Sequence, residues 1–481
     1  MEFDILIVGA GVVGCALARE LSRYAGSIGV VDRGYDVAEG ASKANSGIVH
    51  AGFDAKPGTL KAKLNVEGAQ MYPELCKVLG VPYSQPGALV LGFTEEDRET
   101  LGKLAEQGKE NGVPVQILER EQVLELEPAT NPDVLCALYA PTSGLTSPYE
   151  MTFALADHAA VNGVQFLLGE CVTEVKPVCG GWQVATDKAV HTCKIFVNCA
   201  GVGSAEIHNQ MSEEKLNVIP RRGEYYLLDR MEQPPFKMTM FQCPTRMGKG
   251  VLVSPTVHGN LLLGPSAEDI ADGQDVSTTR EGLDFVLEKT RLTWPGVAVR
   301  SNITNFSGIR AHESKGDFVI GKVKDHAYET VGIESPGLSA APAIALMLAE
   351  QIVQEEKLEK KSVFLPPVLR KKPFSQMDAQ ERAAAVAEDL AYGNLVCRCE
   401  VVTEAEIRAA IRRPVGATTI DGVKRRTRSG MGRCQGGFCS PAVAKILAEE
   451  LGIPLEQVTK NGGNSYLLTG SVADALQEEW Q

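Results

Sequence analysis

Four cysteines near the end of the 481-residue chain have the spacing of a metal-binding set. Cys397 and Cys399 flank one residue, Cys434 and Cys439 flank four, and 34 residues separate the two pairs. Clustered thiolates in a reduced setting hold zinc or an iron–sulfur cluster. Zinc ribbons and fingers favour Cys-x-x-Cys knuckles. A Cys-x-Cys pair with a Cys-x4-Cys pair departs from that and favours iron, with zinc and bystander thiols as the alternatives. From Cys397 to Cys439, Arg398, Arg408, Arg412, Arg413, Lys424, Arg425, Arg426, Arg428 and Arg433 stand against Glu400, Glu404, Glu406 and Asp421, a surplus of five positive charges. Such a surround stabilises a reduced, negatively charged cluster; a solvated surface or a docking face is the other reading. The remaining eight cysteines, Cys15, Cys76, Cys136, Cys171, Cys179, Cys193, Cys199 and Cys243, lack ligand spacing and read as small buried hydrophobes.

A second constellation opens the chain. Residues 4–9 form a β-branched apolar run, Gly9-Ala-Gly11-Val-Val-Gly14 follows as a tight turn, a helix-like segment runs to residue 22, and a second apolar run ends on Asp32. Glycines permit close approach to a pyrophosphate, the helix N-terminus offers unpaired N–H groups, and an acid at this distance holds a ribose hydroxyl. A merely glycine-rich turn is the alternative. His50 and His312 are two of only seven histidines and are candidates for moving a proton.

The composition restricts the partners. A net charge of −13, from 48 basic and 61 acidic residues, opposes nucleic acid or an anionic membrane and favours a small molecule. With 44% apolar and 23% charged residues the chain is neither disordered nor fibrous. Twelve cysteines are too few for a disulfide scaffold. No charged leader precedes an apolar stretch at residues 1–4, and no apolar run is expected to reach the ~20 residues of a span. A cytoplasmic setting is expected, with membrane contact only through a partner.

Residues 40–52, Gly-Ala-Ser-Lys-Ala-Asn-Ser-Gly-Ile-Val-His-Ala-Gly, resemble the flavin-contacting segment of the FAD-dependent amine and hydroxy-acid oxidoreductases, the D-amino acid oxidase-like family. The apolar strand ending at Ala200-Gly201 and the loop Glu334-Ser-Pro-Gly-Leu-Ser-Ala-Ala341 are similar to two further FAD segments of that family. The resemblance implies FAD, held by Gly9, Gly11, Gly14, Asp32, Arg33, Ser42, Asn45, Ser46, Gly47, Val172, Ala200, Gly201, Gly308, Gly337, Leu338 and Ser339. Residues 397–439 resemble the two-iron two-sulfur domain of bacterioferritin-associated ferredoxin, which makes the four cysteines ligands of a 2Fe-2S cluster.

Residues 243–255 and 424–436 are similar to anaerobic glycerol-3-phosphate dehydrogenases, whereas residues 45–52, 56–68 and 222–226 resemble L-2-hydroxyglutarate oxidase more closely. Both imply oxidation of a small anionic secondary alcohol, with electrons passing through the cluster to a partner subunit or carrier. Glycerol 3-phosphate is the first expectation and L-2-hydroxyglutarate the second; an amino-acid or opine dehydrogenase and a non-catalytic electron-transfer subunit are the others. Arg310, in Ser307-Gly-Ile-Arg-Ala-His312, matches the family's substrate arginine, and its fork suits carboxylate or phosphate. Glu224, Tyr225, His50 and His312 are expected beside it, and Arg246 and Lys249 would add charge for a phosphate.

These residues need an α/β frame: a Rossmann-like FAD-binding domain, an antiparallel-sheet substrate domain and a small C-terminal iron–sulfur domain. The expected pieces are 1–85, 145–215 and 315–355 for FAD; 86–144 and 216–314, rich in alternating strands, for the roof over the flavin; 356–390 as a linker; 391–450 for the cluster; and 451–481 as a tail. An oligomer is possible on this reading.

Overall fold

The computed structural model describes residues 1–244, 250–297 and 299–470. Strand β1 (Glu2–Val8) lies at the centre of an eight-stranded sheet. It runs parallel to β2 (Ile28–Asp32) on one edge and to β3 (Val190–Asn198) on the other. The parallel set is completed by Val164–Leu168 beside β2 and Ala327–Val331 beside β3. Alternate residues of β1 serve two layers, as the period of a strand requires. Ile5 and Ile7 enter a core with helices α1 (Val12–Leu21), α2 (Leu60–Leu79), α3 (Pro148–Val161) and α4 (Gly337–Glu356), while Phe3, Leu6 and Val8 pack with Trp182, Phe196 and Met211 on the opposite face.

Helix α4 revises one expectation. Its 20 residues hold an 18-residue window with a mean hydropathy of 1.2, long and apolar enough by length and composition to cross a bilayer. Eleven of them are buried in the core, among them Ala340, Ala341, Ile344, Leu348 and Ile352. The apolarity is that of a helix packed on α1 and α2.

The second sheet has nine strands and carries β4 (Val218–Leu228) and β5 (Asn302–Glu313) as its longest pair. Their antiparallel register sets Arg221 opposite Arg310, Gly223 opposite Gly308 and Tyr225 opposite Phe306. The sheet is antiparallel except where Thr239–Gln242 runs parallel to Ala88–Gly92.

Residues 356–390 do more than link. Ala25 N donates to Glu359 O (2.7 Å), Lys361 N to Arg23 O (2.8 Å) and Leu365 N to Asn162 Oδ1 (2.8 Å), which straps the segment across the ends of α1 and α3. A helix, Ala379–Glu388, then follows behind a capping box of Asp378 and Glu381. The small domain folds around Ile407, Val423 and Leu447, with α5 (Ile420–Thr427) between the helices Glu404–Ile411 and Ser440–Leu451. The expected tail belongs to it: Val458 is in that core, Ile420 N donates to Thr459 O (3.2 Å) and Asp421 N to Lys460 O (2.8 Å).

Most of the basic residues between the cysteine pairs are engaged by carboxylates. Arg408 and Arg412 meet Glu450 within the small domain. Arg413 meets Asp157, Arg425 and Arg426 meet Asp36, and Arg433 meets Asp229, so four arginines dock the small domain onto the rest of the chain. Docking accounts for more of this charge than a basic halo around the cysteines.

Candidate active site and thiolate centre

One cavity of about 1800 Å³ runs from the glycine turn after β1 to the sheet that holds β4 and β5. At its first end Gly9 sits at φ +109°, and a Cβ there would fall 2.2 Å from the Cys199 carbonyl oxygen, so only glycine fits. Gly14 backs directly onto the Gly9 carbonyl. The Asp32 carboxylate accepts N–H bonds from Ala10 and Gly34, both 2.6 Å. Burial pushes its pKa up, and these backbone donors oppose the rise. Ser42 Oγ accepts from Val12 N (2.9 Å), which fastens the segment after β2 against the start of α1. Gly11, Arg33, Asn45, Ser46, Gly47, Val172, Ala200 and Gly201 complete this wall. The close-approach turn, the fixed acid and the open N-terminus of α1 fit a dinucleotide.

At the other end β5, the end of the 40–52 segment and the start of α4 converge. Arg310, His50, Tyr225, Gly308, Gly337 and Leu338 all line the cavity. Arg310 Nη2 donates to Ser266 O (2.6 Å), and Gly223 opposite leaves the guanidinium its room, since a Cβ there would lie 2.5 Å from Nη2. Tyr225 stacks on Phe306 with centroids 4.8 Å apart, and its hydroxyl is 3.4 Å from Ser46 Oγ. Burial raises the Tyr225 pKa, so the phenol stays protonated. His50 is fixed through its backbone: its N–H donates to Ser339 Oγ (2.7 Å), its carbonyl accepts from Asn65 Nδ2 (3.0 Å), and its ring lies 5.8 Å from that of Phe241.

Three expected residues stand elsewhere. Glu224 alternates with Tyr225 along β4 and so faces away from the cavity; its carboxylate accepts from Thr279 N (2.7 Å) and Thr279 Oγ1 (2.8 Å), and its side chain is fully buried. His312 lies beyond the rim, two residues past Arg310, where Nδ1 is 3.0 Å from Glu334 Oε1. Ser339 supports the His50 backbone from behind the wall. Arg246 and Lys249 lie outside the described residues.

Other residues of the site were not named as site residues from the sequence. Glu334 lines the cavity, bonded by Lys61 Nζ (2.7 Å) and His312 across more than 270 and 20 residues of chain. His258 Nε2 meets Glu150 Oε1 (2.7 Å), whose Oε2 accepts from Arg370 (2.9 Å). The small domain reaches the same cavity with Lys424, Arg425, Arg428 and Met431, and Tyr149 donates to the Met431 sulfur at 3.8 Å.

The four cysteines lie as two pairs. Cys399 and Cys434 have sulfurs 3.7 Å apart at the surface, while Cys397 and Cys439 are buried. A hydrogen bond from Cys439 holds Cys397 down to about 5 against its burial, helped by backbone N–H groups of Gly430 and Glu400. Burial raises Cys434, but N–H groups of Phe438, Gly436 and Gly437 and the Cys399 thiol bring it below the ordinary value. Among the described residues no three ligand side chains surround one point, as a single tetrahedral zinc requires. Two pairs with N–H groups aimed at sulfur fit two bridged irons.

Residues 4–351 match the family model described as FAD dependent oxidoreductase. The chain belongs to that family. A second model, the BFD-like [2Fe-2S] binding domain, matches residues 395–449, so this member of the FAD dependent oxidoreductases carries FAD and a 2Fe-2S cluster. It is 47% identical over 479 residues to glycerol 3-phosphate dehydrogenase of Caloramator mitchellensis, covering 99% of this chain and 100% of that one. L-2-hydroxyglutarate dehydrogenase of Arabidopsis thaliana is 26% identical, covering 73% and 83%. The structure of L-α-glycerophosphate oxidase from Mycoplasma pneumoniae with FAD bound superposes with a TM-score of 0.73 at 30% identity, over 77% of this chain and 100% of the oxidase.

Proposed function

We propose that this oxidoreductase is a dehydrogenase that converts sn-glycerol 3-phosphate to dihydroxyacetone phosphate and passes the electrons to a protein acceptor. Arg310 carries the reading: its fork is held by Ser266 O on one side and faces the cavity with its other donors, a seat for the anionic group of the substrate. His50 takes the hydroxyl proton, and Tyr225 and Arg310 fix the substrate so that its C–H bond points at the cofactor. FAD, when bound, accepts the hydride. Cys397, Cys399, Cys434 and Cys439 would hold the 2Fe-2S cluster, which would supply one-electron transfer onward. The exposed Cys399 edge, beside an 88% exposed Phe438, is the exit towards a subunit or carrier.

The likeness to glycerol 3-phosphate dehydrogenase over nearly the full length of both chains supports phosphate over carboxylate as the anion. The added cluster domain supports a protein acceptor over oxygen. Anaerobic loss of flavin absorbance tests the substrate: rapid bleaching by glycerol 3-phosphate is expected. Bleaching by L-2-hydroxyglutarate alone transfers the reading to that acid, bleaching by amino acids alone to an amine dehydrogenase, and no bleaching by any of them to an electron-transfer subunit. A cytoplasmic location is part of the proposal, supported by the unpaired thiols.

A further inference from the structure

Helix α5 belongs to the small domain by its core, yet its polar side is built into the dinucleotide end of the cavity. Arg426 grips Asp36 with both arms of its fork, at 2.5 and 2.7 Å, and lies 4.0 Å over the Phe153 ring. Arg425 bonds Asp36 (3.2 Å) and Glu39. Asp36 and Glu39 belong to the segment between β2 and Ser42. That segment also bonds the glycine turn, through Ala38 N to Ala10 O (3.0 Å) and through Ser42 Oγ. The small domain therefore holds the strand-to-loop segment against which a pyrophosphate would sit.

The charges that α5 brings are not matched there. Lys43, Lys424, Arg425 and Lys460 line this part of the cavity, and the acids lining it with them are Glu39 and Asp421. Glu39 is shared by Lys43 and Arg425; Asp421 is shared by Lys460 (3.0 Å) and Lys424 (3.9 Å). Asp36 is engaged by Arg426, and Asp32 and Arg33 at the adjoining rim offset each other. Two positive charges are left over in a partly buried wall. Burial lowers the Lys424 pKa, and Lys460, Arg425 and Lys43 lower it further, as expected where cations converge without enough acid. An anion set between like charges gathered in this way relieves their repulsion. The diphosphate of FAD carries two negative charges.

We infer that the iron–sulfur domain completes the FAD site: Lys424 and Arg425 from α5, with Lys43 and Lys460, hold the pyrophosphate, so that retention of FAD depends on the small domain. The FAD dependent oxidoreductase fold supplies the glycine turn, and this chain adds a lid of cations from a separate domain. The inference holds whichever hydroxy acid is oxidised.

The test uses holoenzyme with its cluster intact, verified by iron content and the EPR signal of the reduced cluster. FAD release on dilution is followed by the rise of free-flavin fluorescence, and ADP and adenosine are compared as competitors for rebinding. Lys424→Gln should speed FAD release about three- to tenfold, less than a fully buried charge-assisted contact would give, because the side chain is 33% exposed. It should flatten the salt dependence of release, weaken ADP and leave adenosine unchanged; Lys424→Arg should restore release to near the wild-type rate. Lys460→Gln, at a side chain of the small domain that is 59% exposed, makes the same reading should Lys424→Gln assemble poorly. Wild-type release and salt dependence in both glutamine variants, or equal weakening of ADP and adenosine, overturns the inference.

Discussion

Replacing Arg310 probes the substrate seat most directly, and its cost follows from the donors it presents. One N–H of Nη2 is committed to Ser266 O at 2.6 Å, which leaves the rest of the fork to the substrate anion. Two charge-assisted hydrogen bonds at about 1.5–3 kcal/mol each give about 3–6 kcal/mol for Arg310→Ala. At about 1.4 kcal/mol per decade, this is a loss of roughly 10²- to 10⁴-fold in the second-order rate of flavin reduction. Arg310→Lys keeps the charge but loses the second donor, so roughly 10- to 100-fold is expected. Gly223→Ala reaches the same group without changing it, because its Cβ would stand 2.5 Å from Nη2 and push the guanidinium off Ser266. Anaerobic stopped-flow bleaching over a range of glycerol 3-phosphate separates the apparent Kd from the limiting rate, and the loss should fall mainly in Kd. An Arg310→Ala enzyme whose Kd stays within threefold of wild type would refute the assignment of the seat.

Glu224→Gln should lower the melting temperature, since it weakens the contact with Thr279 at the N-terminus of the helix Arg280–Thr293, yet leave the limiting bleaching rate unchanged; a fall in that rate returns Glu224 to the site. Burial pushes Cys199 up to about 12, so iodoacetamide at pH 8 should label the exposed Cys171 and Cys179 in native protein and spare Cys199, as read by peptide mass spectrometry. Cys434→Ser should abolish the cluster's iron and sulfide while the flavin still bleaches with substrate. The Asp36 carboxyl, raised by burial but lowered more by Arg426 and Arg425, ends below its ordinary value near 3.8. A depressed carboxylate stabilises above the unfolded pKa and loses that contribution as pH falls through the folded one. Docking of the small domain should therefore be intact down to about pH 4 and weaken below it, visible as acid-induced proteolysis between residues 356 and 390.

The turn from β1 to Asp32 was legible because its chemistry is local: strand, glycines, helix and acid lie within thirty-two residues, and Gly9 and Gly14 each answer to a backbone contact. The four cysteines stood out by their spacing, but in space Cys399 meets Cys434 and Cys397 meets Cys439, so each contact joins one sequence pair to the other. Arg310 needed the resemblance, because a lone arginine carries no spacing. Glu224 and Tyr225 show the limit of reading a strand without its partner. The period of two says that adjacent residues part company, but only the pairing with β5 and the helix at Arg280 decides which one faces the cavity. His312, two residues past Arg310 on β5, reaches the cavity only through Glu334. The contacts of Lys61 with Glu334, Tyr149 with Met431 and Arg425 with Glu39 span hundreds of residues and follow from the folded path alone.

That path also fixes an order of assembly on the ribosome. β1 leaves first, but its neighbour β3 is nearly 190 residues downstream, and the α4 residue that fastens His50 is Ser339. At about 5–20 residues per second, some 17–70 s of synthesis separate the glycine turn from the helix that closes its wall. Until β3 emerges the nascent chain exposes one edge of the strand β1, already paired with β2 on the other, an edge open to wrong pairing. The small domain follows α4 in the chain and packs over the segment after β2, so cations from Lys424 and Arg425 reach the flavin's wall only after the glycine turn is already built.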